Sequence, residues 1–214
     1  MERLTRTPRL DNPDTDALRC EILAYFHTTF DRYEQLFEVL SCDEAFTVKP
    51  IALRHPLIFY YGHTATFFIN KLLLSGLVEQ RINPRFESIF AVGVDEMSWD
   101  DLNDDHYDWP TPAEVKAYRD QVRQTVERII REAPLTSPIN WEHPWWTILM
   151  GIEHERIHLE TSSVLIRQHD LKYVRPHPAW PPCRDSGPAP ANQLINVPAG
   201  RVVLGKSRDD AHYG

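Results

Sequence analysis

Two histidines and a glutamate lie within one short segment, residues 151–160, in the pattern His-Glu-x-x-His. Residues four apart in an α-helix lie one above the other, so His154 and His158 can present two imidazoles to one point. Zinc proteases use this pattern, with the glutamate, here Glu155, as the general base. The segment therefore predicts a metal site, and the rest of the chain must indicate which reaction the site serves.

The protease interpretation requires a third ligand downstream, either a histidine or a glutamate. In the histidine form, Thr161 stands where a glycine is needed and Val164 stands where the histidine is needed. No glutamate follows Glu160. We therefore reject a protease and expect Glu155 on the flank of its helix, solvated or paired at the surface and away from the metal.

His63 is predicted to be the third ligand, because it lies in the middle of the apolar segment YYGHTATFF. An unpartnered buried imidazole carries a desolvation cost, and helical bundles build metal sites from side chains on facing helices. The alternative for each of the three histidines is a hydrogen-bonded core residue. Three neutral imidazoles leave the charge of an ion uncompensated and one side of it open, which suits Fe²⁺ with a thiolate and dioxygen. Zn²⁺ or Ni²⁺ with water is the other option.

Four long amphipathic segments must position these histidines, since their apolar residues recur every three or four positions. The predicted helices cover approximately residues 16–40, 55–76, 112–129 and 144–168. Asp14 or Thr15 can cap the first helix, and a capping box, Thr111-Pro112-x-Glu114, starts the third. No convincing strand pattern separates them, so the predicted fold is an all-α, antiparallel four-helix bundle.

The connection between the second and third helices, residues 77–110, is too long for a plain loop. We expect it to be functional or to contain short elements, such as a helix within residues 86–94. Its acidic run, residues 100–106, is predicted to be a solvated loop rather than a site for a hard cation. Further candidates for hydrogen bonds to the imidazoles are Tyr60, Glu153, Glu155, Glu160 and Thr161.

The composition changes after Lys172. Residues 176–193 are rich in proline and are predicted to form an extended linker, whereas residues 194–214 have strand character around a Pro-Ala-Gly turn. About twenty residues cannot bury a core alone. We therefore divide the chain into a metal-binding bundle at 1–175, a linker at 176–193 and an incomplete β segment at 194–214 that opens a second domain.

The overall composition excludes several classes of protein. Hydrophobic residues make up 42% and charged residues 25%, as in soluble globular proteins. A formal net charge of -8 argues against nucleic-acid binding. No segment reaches the roughly 18 consecutive apolar residues of a membrane span, and the first residues lack the apolar core of a signal peptide. Three distant cysteines suggest no disulfide framework, so we expect a cytoplasmic protein.

Three long segments carry a resemblance to a known family. Residues 53–77, 81–102 and 150–168 closely resemble the N-terminal DinB-like domain of ovothiol-type sulfoxide synthases, which make 5-histidylcysteine sulfoxide. Residues 194–210 resemble the opening of the formylglycine-generating-enzyme-like domain that follows in that family. The resemblance implies a non-heme iron(II) ion held by one histidine of the second bundle helix and two of the fourth. These match His63, His154 and His158.

The resemblance also implies the reaction and its partners. Cysteine would bind iron through its thiolate, histidine would bind nearby, and dioxygen would drive carbon–sulfur bond formation at the imidazole with oxidation of the sulfur. The family's second domain supplies most substrate contacts and a tyrosine that assists the oxygen chemistry. We therefore expect the catalytic residues, apart from the metal ligands, mainly in a C-terminal domain that contacts this one.

Three alternatives stay open at this point. The chain can be a DinB-like thiol transferase or hydrolase that uses the same three histidines with zinc or nickel. It can instead be an inactive metal-binding module that pairs with another chain. At the level of substrate, an ergothioneine-type enzyme that acts on a trimethylated histidine is the nearest alternative.

Overall fold

A computed structural model describes residues 6–92, 107–184, 187–207 and 210–213. Within these ranges the structure contains helices and no strand, apart from one isolated bridge between Leu40 and Val174. The helices are α1 (Thr15–Phe37), α2 (Glu44–Thr47), α3 (Leu57–Leu74), α4 (Pro84–Ile89), α5 (Pro112–Glu132) and α6 (Trp146–Ile166). The long helices α1, α3, α5 and α6 are the four predicted ones, which confirms the all-α bundle.

Local sequence signals set where these helices begin. The Asp14 carboxylate accepts from two backbone amides of the first turn of α1, and Thr111 forms the predicted capping box of α5 with Glu114. Gly76, with φ at 74°, supplies the left-handed residue after α3. The sequence predicts the ends of helices less accurately than their beginnings. Helix α1 stops before Leu40, and Leu40 instead pairs with the segment after α6.

The four long helices do not simply alternate in direction. The pairs α1/α5 and α3/α6 are antiparallel, whereas α1 and α6 run the same way, and α3 and α5 therefore do too. The contacts that set these directions are Tyr25–Glu153 and Tyr33–Ser162 between α1 and α6, His63–His154 and Ser75–Thr147 between α3 and α6, and Asp31–Arg123 and Glu34–Arg119 between α1 and α5.

This arrangement explains the long connection after α3. Because α3 and α5 pack together and point the same way, the chain must travel back along the bundle before α5 begins. Eighteen helical residues span roughly 27 Å, which no tight loop can cover. Part of the return path is α4, which overlaps the short helix predicted within residues 86–94 but begins two residues earlier, at Pro84.

Helix α3 lies at the centre of the core, as its apolar sequence predicts. It is buried on nearly every face, and two glycines allow aromatic rings to approach the α3–α6 pair closely. A Cβ atom at Gly62 would lie 2.4 Å from the Phe90 ring, and one at Gly151 would lie 2.3 Å from the Phe68 ring. Both helices thus require glycine at these positions in order to pack closely against the two rings.

The chain after α6 first follows the end of α1. The Arg175 amide donates to the carbonyl of Val39, and the Trp180 indole donates to the carbonyl of Gln35 at 3.0 Å. The start of the proline-rich region is therefore bound to the bundle through the backbone of α1 and the turn after it.

Residues 194–207 form exposed coil, so the predicted β segment is not formed there. A strand requires a hydrogen-bonded neighbour, and this stretch makes no strand pairing within the described ranges. Residues 210–213 return to the bundle, where Tyr213 packs on Trp146 with ring centroids 4.5 Å apart. The proposed domain boundaries stay a prediction. Of the helices in the described ranges, none has the length and apolar character that crossing a membrane requires.

Candidate metal centre

The structure brings the three predicted histidines together between α3 and α6. The Nε2 atoms of His63 and His154 lie 3.2 Å apart, and one ring nitrogen from each of the three histidines lies within 4.8 Å of the others. Nitrogens that share an ion at about 2.1 Å each are separated by roughly 3 Å. The cluster therefore has the donor atoms and spacing to hold one metal ion.

A backbone carbonyl fixes the orientation of His63. Its Nδ1 lies 2.7 Å from the carbonyl oxygen of Phe90, at the end of α4. A carbonyl only accepts, so Nδ1 carries the proton and Nε2 offers its lone pair to the cluster. Metal-binding histidines typically have such an acceptor behind them. The long connection thus contributes directly to the candidate centre.

The other two histidines are held by packing. Among the described residues, the buried Nδ1 atoms of His154 and His158 have no hydrogen-bond partner. The Phe67 ring stacks on His154 with centroids 3.7 Å apart and planes at 10°. An aromatic stack restrains ring rotation, but it does not select a tautomer as a hydrogen bond does.

Burial keeps the α6 histidines neutral. Burial, followed by the nearby His63 and His158 rings, lowers the pKa of His154 to about 2. Burial, followed by His63, lowers the pKa of His158 to about 3. Neutral imidazole is the form that binds a metal, so near neutral pH no proton must leave these rings before binding.

The cluster is buried on its α3 side and partly exposed on its α6 side. His63 is buried, with 2% of its surface exposed, and Phe59 stacks on it at 5.2 Å between centroids. His154 and His158 are partly exposed. An ion held here would be covered by protein on the α3 side and would lie nearer the protein surface on the α6 side.

The expectation that Glu155 lies at the surface is wrong, whereas the expectation that it lies away from the metal agrees with its contacts. Its side chain is fully buried in the core, and its Oε1 accepts from Arg119 Nη2 at 2.8 Å and from Thr64 Oγ1 at 3.2 Å. The guanidinium supplies the opposite charge that a buried carboxylate requires. Arg119 lies on the buried stripe of α5 between Val115 and Val122, which was the available signal in the sequence.

The remaining candidates contribute little to the cluster. The Tyr60 ring lies 6.0 Å from the His158 ring, and Glu153 accepts a hydrogen bond from the Tyr25 hydroxyl. Thr161 donates to the backbone of its own helix, and Glu160 is exposed. The acidic run at 100–106 lies outside the described residues. Phe67 and the Phe90 carbonyl do contact the histidines, and neither was predicted.

Comparison with known proteins identifies a family for most of the chain. A family model described as the DinB superfamily matches residues 25–162, a range that includes all three histidines. The chain is also similar to ergothioneine biosynthesis protein 1 of Neurospora crassa. The two are 28% identical over 183 residues, which cover 78% of this chain and 20% of the Neurospora protein. The matched region is thus about a fifth of the length of that curated relative.

Proposed function

Because this chain belongs to the DinB superfamily, we propose that it is the metal-binding helical domain of a non-heme iron(II), O₂-dependent sulfoxide synthase. The reaction joins cysteine to the imidazole of histidine and gives 5-histidylcysteine sulfoxide, as in ovothiol biosynthesis. The observation that carries this proposal is the meeting of His63, His154 and His158 between α3 and α6. Similarity to a protein of ergothioneine biosynthesis supports related chemistry.

The donor set favours an ion that carries substrates over one that only stabilises the fold. Structural zinc sites use four protein ligands and are closed, whereas this cluster offers three neutral nitrogens and a partly exposed side. A neutral donor set leaves the positive charge of the ion for an anionic ligand, and a cysteine thiolate is such a ligand. When bound there, iron(II) would supply positions for the thiolate and for dioxygen.

The overall reaction balances without another reductant. The cysteine thiol loses its hydrogen, the imidazole loses a hydrogen from carbon, and a carbon–sulfur bond forms between them. One oxygen atom of O₂ ends on the sulfur and the other ends in water. The four electrons that dioxygen accepts come from the two substrates, so this chain's residues need only hold the donor atoms in position.

The role of the chain's own residues follows from the contacts at the cluster. The Phe90 carbonyl keeps the proton of His63 on Nδ1, and Phe67 restrains His154. Burial favours the neutral, ligating form of His154 and His158. Together these contacts would present three lone pairs to one point before any ligand arrives, and such preorganisation reduces the ordering cost of binding.

Anaerobic titration with iron(II) tests the metal site. We expect one tightly bound equivalent per chain in the wild type and a large loss of affinity in His63→Ala. His27→Ala is the matched control, because His27 is a partly buried histidine of α1 that lies outside the cluster. Absence of iron binding in the wild type, or unchanged binding in His63→Ala, would refute the proposal.

Oxygen uptake by the complete product of the gene tests the reaction. We expect uptake that requires iron, cysteine and an imidazole substrate together. The name of the Neurospora relative favours a second candidate, in which a trimethylated histidine replaces histidine, and the two imidazole substrates are compared side by side. Iron binding without uptake on either substrate would instead support a metal-binding module, and tight zinc or nickel binding with thiol transfer would support the transferase alternative.

A further inference from the structure

One buried cation, Arg119 of α5, contacts the other three long helices. Its Nε donates to Glu34 Oε1 of α1 at 3.2 Å, and its Nη1 donates to Thr64 Oγ1 and the Tyr61 carbonyl of α3 at 2.8 and 2.9 Å. Its Nη2 donates to Glu155 Oε1 of α6 at 2.8 Å. The guanidinium side chain has no exposed surface. This single group therefore joins all four long helices through hydrogen bonds.

Two of these contacts lie next to the candidate metal ligands in the sequence. Thr64 follows His63, and Glu155 follows His154. The Thr64 hydroxyl donates to Glu155 Oε1 at 3.2 Å, and the His63 and His154 Nε2 atoms are also 3.2 Å apart. Adjacent helical residues point about 100° apart. Thr64 and Glu155 therefore face Arg119, while His63 and His154 face the cluster. Rotation of α3 against α6 would disturb both pairs together.

Stability alone does not account for this polar group. A buried ion pair loses hydration on both charges, and apolar residues of similar volume often stabilise a core equally well or better. The guanidinium carbon of Arg119 also lies 4.4 Å from the centre of the Phe30 ring and 5.0 Å from that of Tyr61. These rings would pack well against an apolar side chain. What an apolar replacement could not supply is directional hydrogen bonding between α3 and α6.

We infer that Glu155 and Thr64, held by Arg119, are positioning residues for the metal centre. Their hydrogen bonds fix the rotation of α3 relative to α6 at which His63 meets His154 and His158. The inference rests on the proposed function in that it takes the three histidines as metal ligands. It assigns a role to the glutamate of the His-Glu-x-x-His pattern that differs from its role as a base in proteases.

Binding of Co²⁺, which reports ligand geometry through its visible absorption, tests this inference. We expect Glu155→Leu and Thr64→Val, neither of which can form the Thr64–Glu155 hydrogen bond, to weaken Co²⁺ binding roughly 10–100-fold, the usual effect of losing a supporting contact behind metal ligands, and to change the spectrum. Thr64→Ser, which keeps the hydroxyl, should retain both. Glu34→Gln is the matched control: it removes one carboxylate charge from the same guanidinium, but Glu34 belongs to α1, which carries no ligand.

Each outcome decides the question. Wild-type affinity and spectrum in Glu155→Leu would overturn the inference, and if that variant does not fold, the same result in Thr64→Val would do so. An equal loss of affinity in Glu34→Gln would also overturn it, because the effect would then come from general destabilisation. Failure of the wild type to bind Co²⁺ is a different result, since it removes the proposed metal site itself and the inference with it.

Discussion

The most informative single change is Gly62→Ala, because Gly62 lies between two features of the centre. It precedes His63 in α3, and the Phe90 ring packs against it so closely that an added Cβ would lie 2.4 Å from Cε2. The carbonyl of the same Phe90 accepts the hydrogen bond from His63 at 2.7 Å. One added methyl group therefore pushes on the residue that orients the third ligand.

The structure gives the size of the expected effect. Carbon atoms normally approach to about 3.5–4.0 Å, so Phe90 must move by roughly 1 Å, which is enough to break a hydrogen bond of this length. Alanine gains about 1 kcal/mol in helix propensity, while overpacking costs about 1–3 kcal/mol and the lost hydrogen bond about 1 kcal/mol. We expect a net loss of about 1–3 kcal/mol in the free energy of unfolding.

Urea unfolding and Co²⁺ titration of the same variant measure both consequences. Gly62→Ala should lower the unfolding free energy and also weaken metal binding by roughly tenfold or more. Thr111→Ala is the control, because it removes the α5 capping box without touching Phe90 or the contact between α3 and α6. It should lose stability and keep its metal affinity. Gly62→Ala with wild-type stability and affinity would refute the reasoning.

Other predictions test the capping, the packing and the charge of the histidines. Thr111→Ala should cost about 1 kcal/mol by removing the α5 capping box, and an unchanged melting temperature would contradict this. Phe67→Leu removes the ring stacked at 3.7 Å on His154 and should weaken Co²⁺ binding by about 0.5–1.5 kcal/mol; unaltered binding would show that the stack is incidental. Burial holds the pKa of His154 at about 2 and of His158 at about 3, whereas unfolded histidines titrate near 6.5. The unfolded metal-free chain therefore binds more protons as the pH falls below about 6.5, and stability should decrease by up to about 1.4 kcal/mol per pH unit for each group. Urea unfolding between pH 7 and pH 4 measures this, and a flat profile would contradict it.

The sequence contains most of the information needed for the helices and the cluster. Capping signals at Asp14 and Thr111 mark where α1 and α5 begin, because those side chains satisfy amides within their own helices. The four-residue spacing of His154 and His158 is likewise local. His63 could be identified because an apolar helix does not leave an imidazole without a partner.

The parts that were wrong or missed depend on contacts between distant segments. Glu155 was expected at the surface because its charge is apparent locally, while its partner Arg119 lies 36 residues away on another helix. The acceptor for His63 is the backbone of Phe90, and a carbonyl gives no signal in the amino-acid sequence. The prediction of helix direction was also incomplete, because apolar periodicity identifies a buried face and leaves the direction of neighbouring helices undetermined.

The distance along the chain between His63 and His154, 91 residues, has a consequence for how the molecule gains its stability. An unfolded chain keeps the α6 pair as neighbours but holds His63 far away, so the complete three-nitrogen cluster exists only after α3 has docked on α6. An ion that prefers the complete cluster therefore pulls the folding equilibrium toward the docked state by mass action. At a free concentration 100 times its dissociation constant, such an ion would contribute about 2.7 kcal/mol. The supply of metal in the cell would thus set how much of the protein survives unfolding and proteolysis, in addition to how much of it carries an ion.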